Sequence, residues 1–167
     1  MFKRLIIIPS LALLVSEAPV YAESLNADFK ASDIKENTLV VYKNPQCGCC
    51  GKWVEHINDF GFSSQIDAIS NVVSIKSKYG IEPRYRSCHT AVVDGYAFEG
   101  HIPAHVIRQF LTEKPQNVIG LSVPGMPAGS PGMEMGDRHD AYDVLLLKQD
   151  GSTEVYAHIS GYVMSRL

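Results

Sequence analysis

The chain has 167 residues, 46% of them hydrophobic and 20% charged, with a formal charge of −3. That length supports one domain with its own core, so the four cysteines are not needed to staple an undersized fold. The acidic balance argues against nucleic acid or an anionic membrane as partner, since both call for a basic face. Lys3 and Arg4 precede an apolar run from Leu5 to Val15 that is too short to span a bilayer, and Val20-Tyr21-Ala22 closes it. Residues 1–22 therefore read as a secretory signal peptide cut after Ala22, in preference to an uncleaved anchor. Cleavage leaves 13 basic against 17 acidic side chains, a charge of −4, in an exported and oxidising setting with no membrane contact expected.

Residues 23–37 are polar and charged and read as a flexible lead-in; residues 38–167 read as a single domain. Thr38 to Asn44 is a β-branched apolar run, hence a buried strand broken by Pro45. After Gly51 a helix is predicted, with Trp53, Val54, Ile57 and Phe60 on its apolar stripe and Gly61 as its stop. Ser63 to Ser70 is a second strand. Asn71 and Gly80 bracket a second helix. Ala91 to Val93 and Tyr96 to Phe98 form a hairpin turning at Asp94-Gly95. Ile102 to Lys114 is a third helix with Pro103 in its first turn. The order β-α-β-α-β-β-α is that of the thioredoxin and glutaredoxin fold. From Pro115 to Asp140 the chain is rich in Pro, Gly and Met and almost without period, so a long loop is expected. A C-terminal β-hairpin turning at Asp150-Gly151 completes the chain.

Three cysteines, Cys47, Cys49 and Cys50, occupy four positions in the first strand-to-helix turn. Backbone N–H groups and the dipole at a helix start favour a thiolate there. Cys47 and Cys50 have the Cys-x-x-Cys spacing of a redox pair, and Cys49 exceeds that need. The fourth cysteine lies in Ser87-Cys88-His89-Thr90, just before the third strand. Glutaredoxin-like proteins place a cis-proline there, against the Cys-x-x-Cys turn. Proline keeps metals off a dithiol, whereas Cys88 and His89 invite one. Soft sulfur donors select Cu(I), zinc or iron–sulfur clusters. Met126, Met133 and Met135 lie in an aperiodic loop, and thioether sulfur favours Cu(I) over zinc. His89, His101 and His139 suit either copper oxidation state. Copper is therefore the first reading and zinc the second.

Plainer readings stand beside this one. Cys47–Cys50 and Cys49–Cys88 can be drawn as two structural disulfides, although such clustering staples little distant chain. A single methionine is commonly core filler. His101 also fits as a polar residue opening the third helix, and His56 as a surface or structural residue of the first. His105 and His158 carry no signal, and Trp53 and Tyr42 read as core or rim.

The segments VYKNPQCGCCGKWVEHINDFGF, SCHTAVVDGYAFEGHIPA and GLSVPGMPAGSPGME together resemble the periplasmic copper-resistance family CopG, from about Leu39 to the final hairpin. The resemblance implies a thioredoxin-like fold with a cysteine-bridged, multinuclear copper cluster. It carries Cys47, Cys50 and Cys88 onto family cysteines at the copper, Cys49 onto the third cysteine of the turn, and His89, Met126 and Met133 onto positions near the metal. The expected function is periplasmic copper binding for copper resistance, in the Cu(I) state, with passage through Cu(II) and copper oxidoreductase turnover left open. A copper exporter or periplasmic copper carrier is the expected partner. The rival is a periplasmic thiol–disulfide oxidoreductase in which Cys47 attacks and Cys50 resolves.

Overall fold

The computed structural model describes residues 38–161 and 163–165. The signal peptide and lead-in expected at 1–37 lie outside these residues. The described chain is a mixed α/β structure: β1 (Thr38–Lys43), α1 (Gly48–Asp59), β2 (Ser63–Ala68), α2 (Val72–Lys78), β3 (His89–Val93), β4 (Tyr96–Glu99), α3 (Ala104–Glu113), β5 (Val118–Ser122), β6 (Tyr142–Lys148), β7 (Thr153–Ser160) and β8 (Val163–Ser165). A 3-10 turn, Pro83–Tyr85, precedes β3. The eight strands form one sheet in the order β2-β1-β3-β4-β5-β6-β7-β8. β1 runs parallel to β2, and β4 parallel to β5; the other pairs are antiparallel.

The elements up to Glu113 follow the expected order, and the C-terminal hairpin is present as β6 and β7. Three expectations need correction. The first helix begins at Gly48, so Cys49 and Cys50 lie inside it and Cys47 is its N-cap. Pro103 is the N-cap of α3 rather than a residue of its first turn. The stretch from Pro115 to Asp140 is not all loop, because Val118–Ser122 forms β5 between β4 and β6. Gly120 masked this strand, since an interior glycine weakens a strand signal. Its φ is +149°, and a Cβ there would lie 1.9 Å from the Ala97 carbonyl oxygen, so close approach to β4 requires glycine. β8 adds a further strand that the sequence pattern did not show.

The core lies mainly on one face of the sheet. α1 turns Cys50, Trp53, Val54 and Ile57 inward, the spacing of one helical face. α3 does the same with Val106, Ile107 and Phe110. These side chains pack on Leu39, Val41, Ala91, Val93, Phe98 and Leu121 from the strands. Phe110 meets Tyr96, Phe98 and Tyr156 edge-on, with ring centroids 4.9, 5.4 and 5.9 Å away. A smaller cluster of Ile81, Ala97 and Leu147 lies apart from this core. Because Phe110 joins α3 to β4 and β7 at once, Phe110→Ala is expected to destabilise the fold by about 3–5 kcal/mol. Equilibrium urea unfolding measures the loss, and a midpoint unchanged from the parent would contradict this packing account.

Candidate metal centre

The turn that carries the cysteines is built by Asn44 and Lys43. The Asn44 side-chain oxygen accepts a hydrogen bond from the Gln46 N–H at 2.9 Å, and its carbonyl accepts from the Cys47 N–H at 3.0 Å. Such an Asx turn bends the chain off β1 without help from the helix. The buried Lys43 ammonium donates to the Asn44 carbonyl at 3.1 Å and to that of Pro45 at 3.4 Å, fixing the turn from beneath. α1 then starts with no acidic residue in its first turn and no side-chain cap, so its dipole favours negative charge at the cysteines.

Cys47 and Cys50 are joined by a disulfide, while Cys49 and Cys88 are free thiols. The paired-disulfide alternative is therefore half present. The Cys47 and Cys49 sulfurs are 3.5 Å apart. The sulfurs of Cys47, Cys49, Cys50 and Cys88 all lie within 4.8 Å of one another, although Cys88 comes from a segment 38 positions beyond Cys50. Cys50 is fully buried and the other three are half-buried.

Two imidazoles extend the group. Donor atoms of Cys88, His89 and His101 also fall within 4.8 Å of one another. His101 Nδ1 donates to the Pro131 carbonyl at 2.7 Å, which leaves the Nε2 lone pair facing Cys88 Sγ at 2.9 Å. A backbone carbonyl that fixes the tautomer in this way is the usual second partner of a ligating histidine. His89 Nδ1 is 3.5 Å from Cys88 Sγ, and its ring packs at a tilt on Trp53, centroids 4.3 Å apart, and meets His101 edge-on at 5.0 Å. His89 Nε2 is buried and has no hydrogen-bond partner among the described residues. Burial pushes the Cys88 thiol up to about 11, with the neighbouring Cys49 adding to the effect. Burial also holds His89 well below the usual imidazole range, with His101, Lys76 and Lys43 adding to it, and lowers His101. The pocket thus holds neutral imidazoles, whose lone pairs are free for a cation, and a protonated thiol, from which a soft cation displaces a proton.

The methionine loop closes over this group. The Ser87 hydroxyl donates to the Gly125 carbonyl. Gly132 packs so tightly on the first turn of α1 that a Cβ would lie 2.7 Å from the Cys49 carbonyl oxygen and 2.8 Å from the Trp53 nitrogen. Met126 and Met133 each follow one of these contact glycines, so both backbones run beside the cysteines. The Met126 side chain is 52% exposed and that of Met133 half-buried. Met135 is exposed, and His139 lies against Gly129 in the same loop.

The cysteines, His89 and His101 come together, then, while His105 and His158 lie elsewhere. His56 is structural: its Nε2 accepts the Ala104 N–H at 3.1 Å, at the start of α3. Trp53 is core, and its indole N–H donates to the Ile102 carbonyl at 2.9 Å, tying α1 to the His101 segment. The sequence reading left His101 between two roles; its signal was the glycine before it, which lets the chain turn off β4. It missed Glu99 and Lys76 altogether, buried behind Ser87 and Thr90.

A family model described as a protein of unknown function, DUF411, matches residues 85–133. Those residues run from the approach to Cys88 through His101 to Met133. No curated protein matches the chain. Among solved structures, copper resistance protein CopG, Form 1, aligns at 39% identity with a TM-score of 0.71, covering 76% of this chain and 100% of that one. Form 2 aligns at 38% identity with a TM-score of 0.71, covering 75% and 100%. The thiol arrangement is directly countable: metal-free protein denatured without reductant should show two reactive thiols per chain, and four after reduction. A count of zero before reduction would mean that Cys49 and Cys88 are also joined.

Proposed function

The chain belongs to the CopG family of copper-resistance proteins, and on that premise we propose that it is a periplasmic protein holding Cu(I) in a multinuclear, thiolate-bridged cluster. One observation carries the reading: four cysteine sulfurs from two separate segments lie within 4.8 Å of one another. A dithiol enzyme uses two sulfurs, whereas bridging several cations needs more donors around one point. The donor set of thiols and imidazoles, with methionines on the adjoining loop, matches the preferences of Cu(I), and zinc stands second because thioethers add little for it. Copper is cargo or substrate here, and the cysteines with His89, His101, Met126 and Met133 are its candidate ligands. The periplasmic location rests on the signal-peptide features of residues 1–22. The parallel β1–β2 pair, the antiparallel β3–β4 hairpin and the preceding Cys88-His89 segment support a thioredoxin-like core in which that segment takes the cis-proline place.

The chemistry of the chain's own residues follows from their protonation and redox states. The Cys47–Cys50 disulfide must accept two electrons and two protons before all four sulfurs are available; a dithiol reductant supplies both. Each thiol then gives up its proton as a thiolate–copper bond forms. The Cys88 thiol, which burial pushes up to about 11, lies 2.9 Å from His101 Nε2, so the two donor atoms stand side by side for one cation. Neutral His89 and His101 offer lone pairs that Cu(II) also accepts, which supports copper redox turnover at the same place. A copper exporter or another periplasmic copper carrier would exchange the ion through the face bearing half-exposed Cys47 and Cys49.

A thiol–disulfide oxidoreductase is the second reading, favoured by the Cys47–Cys50 disulfide at a helix start with Cys50 buried behind Cys47. Against it, Cys88 and His89 occupy the ground where a substrate backbone would lie. Two assays separate the readings. Fully reduced protein titrated anaerobically with Cu(I) should bind more than one ion per chain tightly, and Cys88→Ser should bind fewer. No tight binding with every thiol reduced would sink the copper reading. Strong insulin reduction by metal-free protein, lost in Cys47→Ser and kept in Cys88→Ser, would establish the rival.

A further inference from the structure

We propose that Glu99 and Lys76 are positioning residues of the metal site, acting from behind the sheet through Ser87 and Thr90; the proposal rests on the copper-binding reading above. Glu99 Oε1 receives the Lys76 ammonium at 2.6 Å and the Ser87 N–H at 2.6 Å. Glu99 Oε2 receives the Thr90 hydroxyl at 2.6 Å, and the Lys76 ammonium also donates to the Thr90 oxygen at 3.1 Å. Ser87 and Thr90 are the residues on either side of Cys88 and His89. One carboxylate therefore grips both ends of the segment that brings the fourth sulfur to the turn. Glu99 also stands two positions before His101, so the same anchor sets where that imidazole leaves β4.

Strand geometry explains why the anchor does not compete for metal. Thr90 and Glu99 are register partners on β3 and β4. Alternation turns both side chains to the face opposite His89, which packs against Trp53. Lys76 reaches them from α2, where a lysine on the inward side breaks an otherwise apolar stripe. The side chains of Lys76 and Glu99 are 2% and 0% exposed, whereas each other ion pair of the described residues has a partner at least 46% exposed. A buried pair of this kind adds little stability over well-packed apolar side chains, because both ions lose their hydration. Its use lies in direction: a carboxylate with three fixed donors holds the backbone of Ser87 in one place. In this chain that place is where a cis-proline would otherwise shape the segment, so the hydrogen-bonded carboxylate substitutes for the ring.

The test uses the double substitution Glu99→Gln with Lys76→Met, which removes both charges together and leaves no lone buried ion. Thermal unfolding and circular dichroism first establish that the variant is folded. Cu(I) affinity is then measured in fully reduced protein by competition with a chromogenic chelator, with the thiolate-to-copper absorption recorded alongside. Outer partners of metal ligands typically contribute about 10–100-fold in affinity, and a loss of that order with an altered absorption band is expected. Lys76→Arg, which keeps the ion pair, should retain wild-type affinity. Thr90→Val supplies the same test if the double variant does not fold: it removes one anchor and keeps the ion pair, and a several-fold loss is expected. Wild-type affinity in a folded variant with either substitution set would overturn the positioning role while leaving the copper reading intact. Failure of the wild-type protein itself to bind Cu(I) would instead overturn the copper reading, and this inference with it.

Discussion

Four sulfur atoms share one small volume only because the segment Ser87 to Thr90 is held against the first turn of α1. Cys47, Cys49 and Cys50 are neighbours by covalent necessity, but Cys88 reaches them only through tertiary structure. Three contacts hold it there. The Glu99 carboxylate grips the segment from behind, the His101 imidazole meets the Cys88 sulfur from the side, and the Gly125 carbonyl receives the Ser87 hydroxyl from above. Each contact comes from a different stretch of chain: the end of β4, the approach to α3, and the loop after β5. Much of the fold beyond the first hairpin thus serves to seat one cysteine.

The loop from Val123 to Ala141 gains its meaning from the same constraint. Its Pro131 carbonyl sets the His101 tautomer, and Gly132 presses on α1 where no side chain would fit. These contacts anchor the loop at the cysteine cluster and carry the Met126 and Met133 segments alongside. Burial keeps the imidazoles neutral and the Cys88 thiol protonated, so the pocket carries little charge until a cation displaces protons from it. Affinity for a soft metal should therefore weaken as pH falls, since protons and metal compete for the same sulfur.

Much of this was legible in the sequence where the signal was local. The stripes of α1 and α3, the Asp94-Gly95 turn and the final hairpin announce themselves by period and turn chemistry. The triple-cysteine turn did so by spacing, and Cys88-His89 by its place before a strand. What could not be read was fixed by distant partners. β5 is a strand because β4 and β6 flank it, against the bias of Gly120 and the prolines nearby. His101 resembles any polar residue ahead of a helix until Pro131 comes into contact with it. The Lys76–Glu99 pair spans 23 positions, with nothing in either residue's neighbourhood to announce the other.

The central claim is that these cysteines bridge copper rather than merely exchange a disulfide. X-ray absorption at the copper edge, on reduced protein loaded anaerobically with Cu(I), tests it most directly. The account predicts a first shell dominated by sulfur and a second copper in the next shell. A single copper ion surrounded mainly by nitrogen and oxygen, with no copper neighbour, would contradict it.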